Sequence, residues 1–237
     1  MILAIDVGNT NTVIGEKRCK TNMIEIRSLL ASMRGEDYEG AILSSVVPAL
    51  NKHICNTVFL QFGIDTIVVD PKMNMNITIP EKYHEELGAD IIVGCVGAAA
   101  EYPCPLAVID MGTASTIFVL DKDKVFLGGT IHTGIALELN ALTEKTAQLP
   151  KTSFEAPDKV IGPNTEECMR AGVLYGHAGM IDGILDHIEK ELDCSVTAVA
   201  TGGLGGYIVP LCRHEIKYDY DLLIKGLNLL YEKNRPQ

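Results

Sequence analysis

A chain of 237 residues with a 47% hydrophobic share is long enough to bury a sizeable core and too apolar to be disordered. Its formal net charge of −11, with no Lys/Arg run, argues against nucleic acid, which is bound through a positive face that releases counterions. Seven scattered cysteines, none in a Cys-x-x-Cys pair, favour reduced thiols in the cytoplasm over a disulfide framework or zinc. Met1 runs almost at once into a strand pattern, so no signal peptide is expected, and no apolar stretch is long enough to span a bilayer.

Residues 2–5 form a short β-branched strand that enters Asp6-Val7-Gly8-Asn9-Thr10-Asn11-Thr12 and leads into a second strand. A weak third strand is expected near 23–26 and a short helix near 28–33. Residues 41–47 read as a buried strand ended by Pro48, 49–62 as a helix, and 66–70 as another strand. Pro71, Asn74, Asn76 and Pro80 break regular structure over 71–87, which predicts a connecting or substrate-facing segment. The Ala- and Gly-rich helix over 90–101 suits close packing between two halves.

The plan then repeats with larger insertions. A strand at 106–109 enters Asp110-Met111-Gly112-Thr113-Ala114-Ser115-Thr116, and 116–120 pairs with 125–127 as a hairpin followed by Gly128-Gly129-Thr130. Helices follow at about 135–148 and 165–192, then a strand at 197–200 running into Thr201-Gly202-Gly203, and an amphipathic helix over 220–233. Two related halves, 1–101 and 102–237, predict an α/β architecture with a cleft between them.

The two Asp-x-Gly loops carry the chemistry. A glycine after a strand lets backbone N–H groups approach phosphate oxygens, and Thr10, Asn11, Thr113 and Ser115 add neutral donors. Asp6 and Asp110 would be repelled by phosphate unless a cation intervenes, which implies Mg²⁺ or a monovalent ion. Ordinary hairpin turns use the same residues, so one such loop alone carries little weight; two, each after an apolar strand, carry much more. Asp90 reads either as the N-terminal cap of its helix or as a general base. His84, His132 and His177 stand at no metal-ligand spacing, and Glu166 and Glu167 fit the first turn of a helix.

Asp6-x-Gly8-Asn9-Thr10, Gly88-Ala89-Asp90, Asp110-x-Gly112-Thr113-Ala114-x-Thr116, Asn164-Thr165-x-Glu167 and Ala200-Thr201-Gly202-Gly203-Leu204, in that order across nearly the whole chain, together resemble the type III pantothenate kinase family. The resemblance implies duplicated ribonuclease-H-like (actin-like ATPase) halves, a homodimer, and ATP-dependent phosphorylation of pantothenate, the first step toward coenzyme A. It implies that Asp6, Val7, Gly8, Asn9, Thr10, Asn11, Thr12 and Val13 form the first phosphate loop, with Asp6 holding Mg²⁺. Gly112 and Thr113 would meet ATP phosphates, Asp110 a monovalent cation (potassium or ammonium), and Gly202 and Gly203 the adenosine side. Tyr83, Gly88, Ala89, Asp90, Ile91 and Thr165 fall at pantothenate-contact positions, Thr165 across the dimer interface, and Asp90 at that of the catalytic base.

Three departures bear on this reading. Ile91 stands where the family usually has arginine; losing a hydrogen bond to a charged group, about 1.5–3 kcal/mol, would weaken pantothenate roughly ten- to a hundredfold unless Lys82 or Arg170 substitutes. Thr133 replaces an expected proline, and the stretch 15–32 is short. The alternatives are a nucleotide-binding regulatory homologue without activity and a kinase for another small hydroxylated acid.

Overall fold

Each Asp-x-Gly loop joins the first two strands of a five-stranded sheet, and the two sheets share one strand order. The computed structural model describes residues 1–146, 148–150, 152, 154, 155, 157 and 159–235. These fall into two units: Met1–Glu101 with Lys124–Phe126 and the residues from Asp221 on, and Tyr102–Asp123 with Leu127–Tyr220.

In the first unit β1 (Ile2–Val7) pairs antiparallel with β2 (Asn11–Ile14), which turns at Gly15, φ +57°, into β3 (Lys17–Lys20). The chain continues through α1 (Met23–Ala31), β4 (Gly40–Ser45), α2 (Pro48–Phe62) and β5 (Thr66–Val68), with β4 parallel to both β1 and β5. The third strand is thus Lys17–Lys20, not 23–26, where α1 begins. The apolar residues there look strand-like, but the Asn22 side chain accepts the Glu25 N–H at 3.0 Å and caps a helix that buries Ile26 and Leu30, four residues apart. A single 3₁₀ turn, Glu81–Tyr83, interrupts the connection to α3 (Ala89–Glu101).

The second unit repeats the scheme. Here β6 (Leu106–Met111) pairs antiparallel with β7 (Ala114–Leu120), β8 (Phe126–Thr133) lies beside β7, and β9 (Thr197–Thr201) and β10 (Ile216–Tyr218) extend the sheet in parallel after α4 (Ile135–Glu144), α5 (Thr165–Leu192) and the short α6 (Gly205–Ile208). Orders β3-β2-β1-β4-β5 and β8-β7-β6-β9-β10 are the same topology twice. Gly128, Gly129 and Thr130 lie inside β8 and do not form a turn after it. Each sheet has its own core, Leu3, Ile5, Ile14, Leu43 and Ile54 in the first and Ile109, Ile117, Ile135, Leu174 and Ile181 in the second. No helix among the described residues is long and apolar enough to cross a membrane.

The last helix, α7 (Leu222–Asn234), belongs to the first unit. It packs on β1, β4 and α3, so the small residues of α3 serve contact within that unit. Helix backbones meet at two glycines: a Cβ on Gly97 would lie 2.6 Å from the Leu222 carbonyl, and one on Gly226 would strike the Val93 carbonyl. Backbone cannot swing aside as a side chain can. Gly226→Ala is therefore expected to destabilise the protein by about 1–3 kcal/mol, read from the midpoint of urea unfolding, despite alanine's better helix propensity. An unchanged midpoint would mean that the two helices separate freely.

Candidate functional site

Sheet register explains how the first loop is built. Asp6 on β1 sits opposite Val13 on β2, Val13 opposite Arg18 on β3, and Asp6 opposite Ser44 on β4, so one row crosses four strands on a single face. Ser44 Oγ donates to Asp6 Oδ1 at 2.9 Å. Burial raises the Asp6 carboxyl to about 6; the Ser44 bond and Arg18 oppose this rise, whereas the nearby Asp90 charge adds to it. The protein thus supplies this carboxylate with less compensation than its ionised form needs, and a hard cation fits that deficit.

Side chains in the loop divide by direction. Val7 and Thr12 are fully buried, so only their backbone can meet a ligand. Thr12 Oγ1 lies 3.1 Å from Thr21 Oγ1, which donates to the Gly8 carbonyl at 2.7 Å. Gly8 N–H donates to the Asn11 carbonyl at 3.0 Å, and in the second loop Gly112 N–H donates to the Ala114 carbonyl at 3.1 Å. Those two amides close their own loops and are not the free donors expected of them. Asn9, Thr10 and Thr113 are exposed, while Asn11 and Val13 are partly buried on β2.

Asp90 occupies the first turn of α3. Its Oδ1 accepts the Ile91 N–H at 2.8 Å, and a Cβ on Gly88 would lie 2.5 Å from the same oxygen, so the glycine before the helix makes room for the carboxylate. Burial raises the Asp90 carboxyl, and bonds from first-turn backbone lower it by less. The residue does bind the helix's free N–H groups, as a cap would, and still has a raised proton affinity beside Asp6. Ala89 and Ile91 flank it, both partly buried. Tyr83 stacks edge-on against Phe126 at 5.0 Å, with the Lys82 ammonium 4.6 Å from its ring centre.

The second unit builds its loop differently. Asp110 sits opposite Thr116 on β7 and Thr201 on β9, a counterpart of the Asp6 row. Gly202, at φ +93°, lets the chain pass where a Cβ would come within 2.5 Å of the Met111 carbonyl and 2.7 Å of Asp110 Oδ1. Gly134, before α4, packs so that a Cβ would strike the Thr113 carbonyl and lie 2.6 Å from that of Gly112. The chain after Thr133 is therefore pinned to the loop without a proline. Gly203 is exposed, and the Gly202 carbonyl accepts Tyr218 Oη at 2.9 Å.

Thr165 opens α5 and is exposed; the Asn164 side chain caps that helix by accepting the Glu167 N–H at 3.0 Å. Arg170 pairs with Glu166 at 2.6 Å, Glu167 at 3.0 Å and Glu155 at 3.3 Å, so its charge is committed within the second unit. Arg18, Thr21, Ser44 and Gly134 escape a reading of the sequence, because each reaches its loop only through sheet register or tertiary packing.

A family model described as type III pantothenate kinase matches residues 2–187. Relatives named type III pantothenate kinase include one from Moorella thermoacetica, 34% identical over 99% of this chain and 100% of its own length. Another, from Rhodospirillum centenum, is 37% identical over 99% of each. Solved structures of the same fold include a protein from Campylobacter jejuni described as a conserved candidate Baf family transcriptional activator, with TM-score 0.65, 21% identity and 98% of each chain covered. A ROK family glucokinase from Streptomyces griseus in complex with glucose and AMPPNP gives TM-score 0.57 at 11% identity, covering 99% of each chain.

A carboxyl whose proton affinity rises on folding stabilises the folded state below its unfolded pKa and loses that contribution as pH climbs through the folded value. For Asp6 the window runs from about 4 to about 6. Asp6→Asn is expected to make the ligand-free protein more stable at pH 7.5 by up to about 3 kcal/mol, with the difference closing near pH 4. Urea unfolding of both proteins across this range tests it; a pH-independent difference would remove the burial argument.

Proposed function

Because the chain belongs to the type III pantothenate kinase family, we propose that it transfers the γ-phosphoryl group of ATP to the primary hydroxyl of pantothenate, as a cytoplasmic homodimer. One observation carries this reading: Asp6 and Asp90 are two carboxylates of one unit, both pushed up by burial, with the charge of Asp90 felt at Asp6. Phosphoryl transfer to an alcohol asks for this division of labour. One carboxylate holds the metal that accompanies the phosphates, and the other accepts the hydroxyl proton.

Asp90 is the base, its ionised form directed by the Ile91 N–H. Asp6 holds Mg²⁺, with Ser44 fixing the carboxylate's orientation and Arg18 adding positive charge toward the phosphates. Bound Mg²⁺ supplies neutralisation of phosphate charge. Asn9, Thr10 and Thr113 donate to phosphate oxygens, and Gly202 and Gly203 let the adenosine side lie against backbone. Asp110, flanked by the hydroxyl residues Thr116 and Thr201, offers the hard oxygen donors that suit potassium or ammonium.

Tyr83, Gly88, Ala89 and Ile91 line the acceptor side, with Thr165 contributed by the partner chain. Since Arg170 is committed to three glutamates and Lys82 to Tyr83, Ile91 leaves the acceptor carboxylate short of a cation and favours a high KM. The homodimer is supported by α5, where Gly172, Gly176, Gly179 and Gly183 form a row with nothing within 4 Å of an added Cβ, open to close approach by a second helix.

ATP-dependent phosphorylation of pantothenate, assayed with Mg²⁺ and with potassium, ammonium or neither, is expected to proceed only with a monovalent cation. Asp90→Asn should lower kcat by about 10²–10⁴-fold while nucleotide affinity changes little. In the wild type, kcat should rise with pH through a value above the usual carboxylate range. Full turnover in the Asp90 variant would sink the base assignment, and phosphorylation of a different hydroxy acid in preference would move the acceptor. Gly176→Leu should shift the protein from dimer to monomer in light scattering; an unchanged mass would put the interface elsewhere.

A further inference from the structure

Three residues with no role in that reaction converge in the second unit: His132 near the end of β8, Glu138 in the first turn of α4 and His177 midway along α5. Glu138 Oε1 lies 3.3 Å from His132 Nδ1 and 3.7 Å from His177 Nδ1, and one ligand atom from each residue lies within 4.8 Å of the other two. The imidazole rings meet edge to face, centroids 5.6 Å apart. The His177 side chain is 0% exposed, its Nε2 is 2.8 Å from the buried Ser115 Oγ, and its Nδ1 has no hydrogen-bond partner.

A buried ring nitrogen left without a partner while facing a carboxylate oxygen calls for an explanation. At 3.7 Å the contact is too long for a hydrogen bond. A cation between them resolves the conflict, and the donor set selects its kind. Two imidazoles and one carboxylate suit a borderline transition ion, whereas Mg²⁺ and Ca²⁺ prefer oxygen alone. Tetrahedral bonds of about 2.0–2.2 Å separate ligand atoms by roughly 3.3–3.6 Å, close to the distances of Glu138 Oε1 from both imidazoles.

We propose that His132, Glu138 and His177 form a binding site for a divalent transition ion of the zinc class, with Ser115 orienting His177 and a fourth position open on the exposed His132 side. Ser115 fixes the ring by its bond to Nε2, which leaves Nδ1 as the ligand atom. His132 Nδ1 lies 2.9 Å from the Thr133 carbonyl, a contact that it gives up to ligate or replaces by turning Nε2 inward. The ion ties β8 to α4 and α5 and, through Ser115, to the strand that leaves the second Asp-x-Gly loop. This site is distinct from the Mg²⁺ and potassium positions proposed above.

The test is titration of chelator-stripped, full-length protein with Co²⁺, followed by Zn²⁺ displacement. One Co²⁺ per chain is expected, with tetrahedral d–d absorption, no thiolate charge-transfer band and a raised thermal midpoint. His132→Ala, at an exposed position, and Glu138→Gln should each weaken binding at least about tenfold, and Ser115→Ala about ten- to a hundredfold. If His177→Gln fails to fold, the His132 and Glu138 variants still decide the matter. No cobalt spectrum in excess metal, or binding that both variants leave intact, would overturn the proposal.

Discussion

Everything around the candidate site follows from placing an ionisable carboxylate at the end of a buried strand. On the face that carries Asp6, Ala4 two residues back on β1 and Ser44 beside it on β4 are buried, which removes water from one side of the carboxylate. A charge in such a position must be met by hydrogen bonds, by opposite charge or by a proton. Ser44 and Arg18 supply the first two through register alone, and the remaining deficit appears as raised proton affinity. In the second sheet Asp110 holds the corresponding place, opposite threonines on both neighbouring strands. Repetition of the strand order thus also repeats the placement of an aspartate at the end of the central strand.

The two loops hold their shape by different means. A hydroxyl clasp maintains the first, with Thr21 bonded to the Gly8 carbonyl and next to Thr12. Steric clearance maintains the second, where Gly134 and Gly202 bring other backbone segments close against residues 110–113. Hydrogen bonds tolerate small movements of their partners, but close backbone contact does not. The second loop is therefore the more rigidly specified of the two, and the proposed ion site sits behind it.

Features that depend on local pattern were legible in the sequence. Apolar runs followed by Asp-x-Gly marked both loops, and Asn164 before an acidic first turn marked the start of α5, where its side chain caps the helix as the spacing implies. Features set by register were not. Ser44 and Arg18 lie far from Asp6 in the chain and become neighbours only once β1 pairs with β4 and β2 with β3. In α1, apolar Met23, Ile24 and Ile26 resembled a strand because the helical spacing of Ile26 and Leu30 and the Asn22 cap were outweighed by a β-branched run. Three-residue β10 and four-residue α6 are too short to show a period. His132, Glu138 and His177 come from three elements, so no ligand spacing could announce them.

The position of α7 has a consequence for how the chain comes to be folded. The second unit interrupts the first in chain order, and the helix that covers β1, β4 and α3 is synthesised only after the second unit. While the second unit emerges from the ribosome, α3 at Gly97 and β4 at Gly40 wait without Gly226 and the Tyr231 ring that pack against them. Vectorial synthesis therefore completes the later unit before the earlier one. The nascent protein carries an exposed apolar surface until α7 emerges, a period in which chaperone binding or premature association competes with the closing helix.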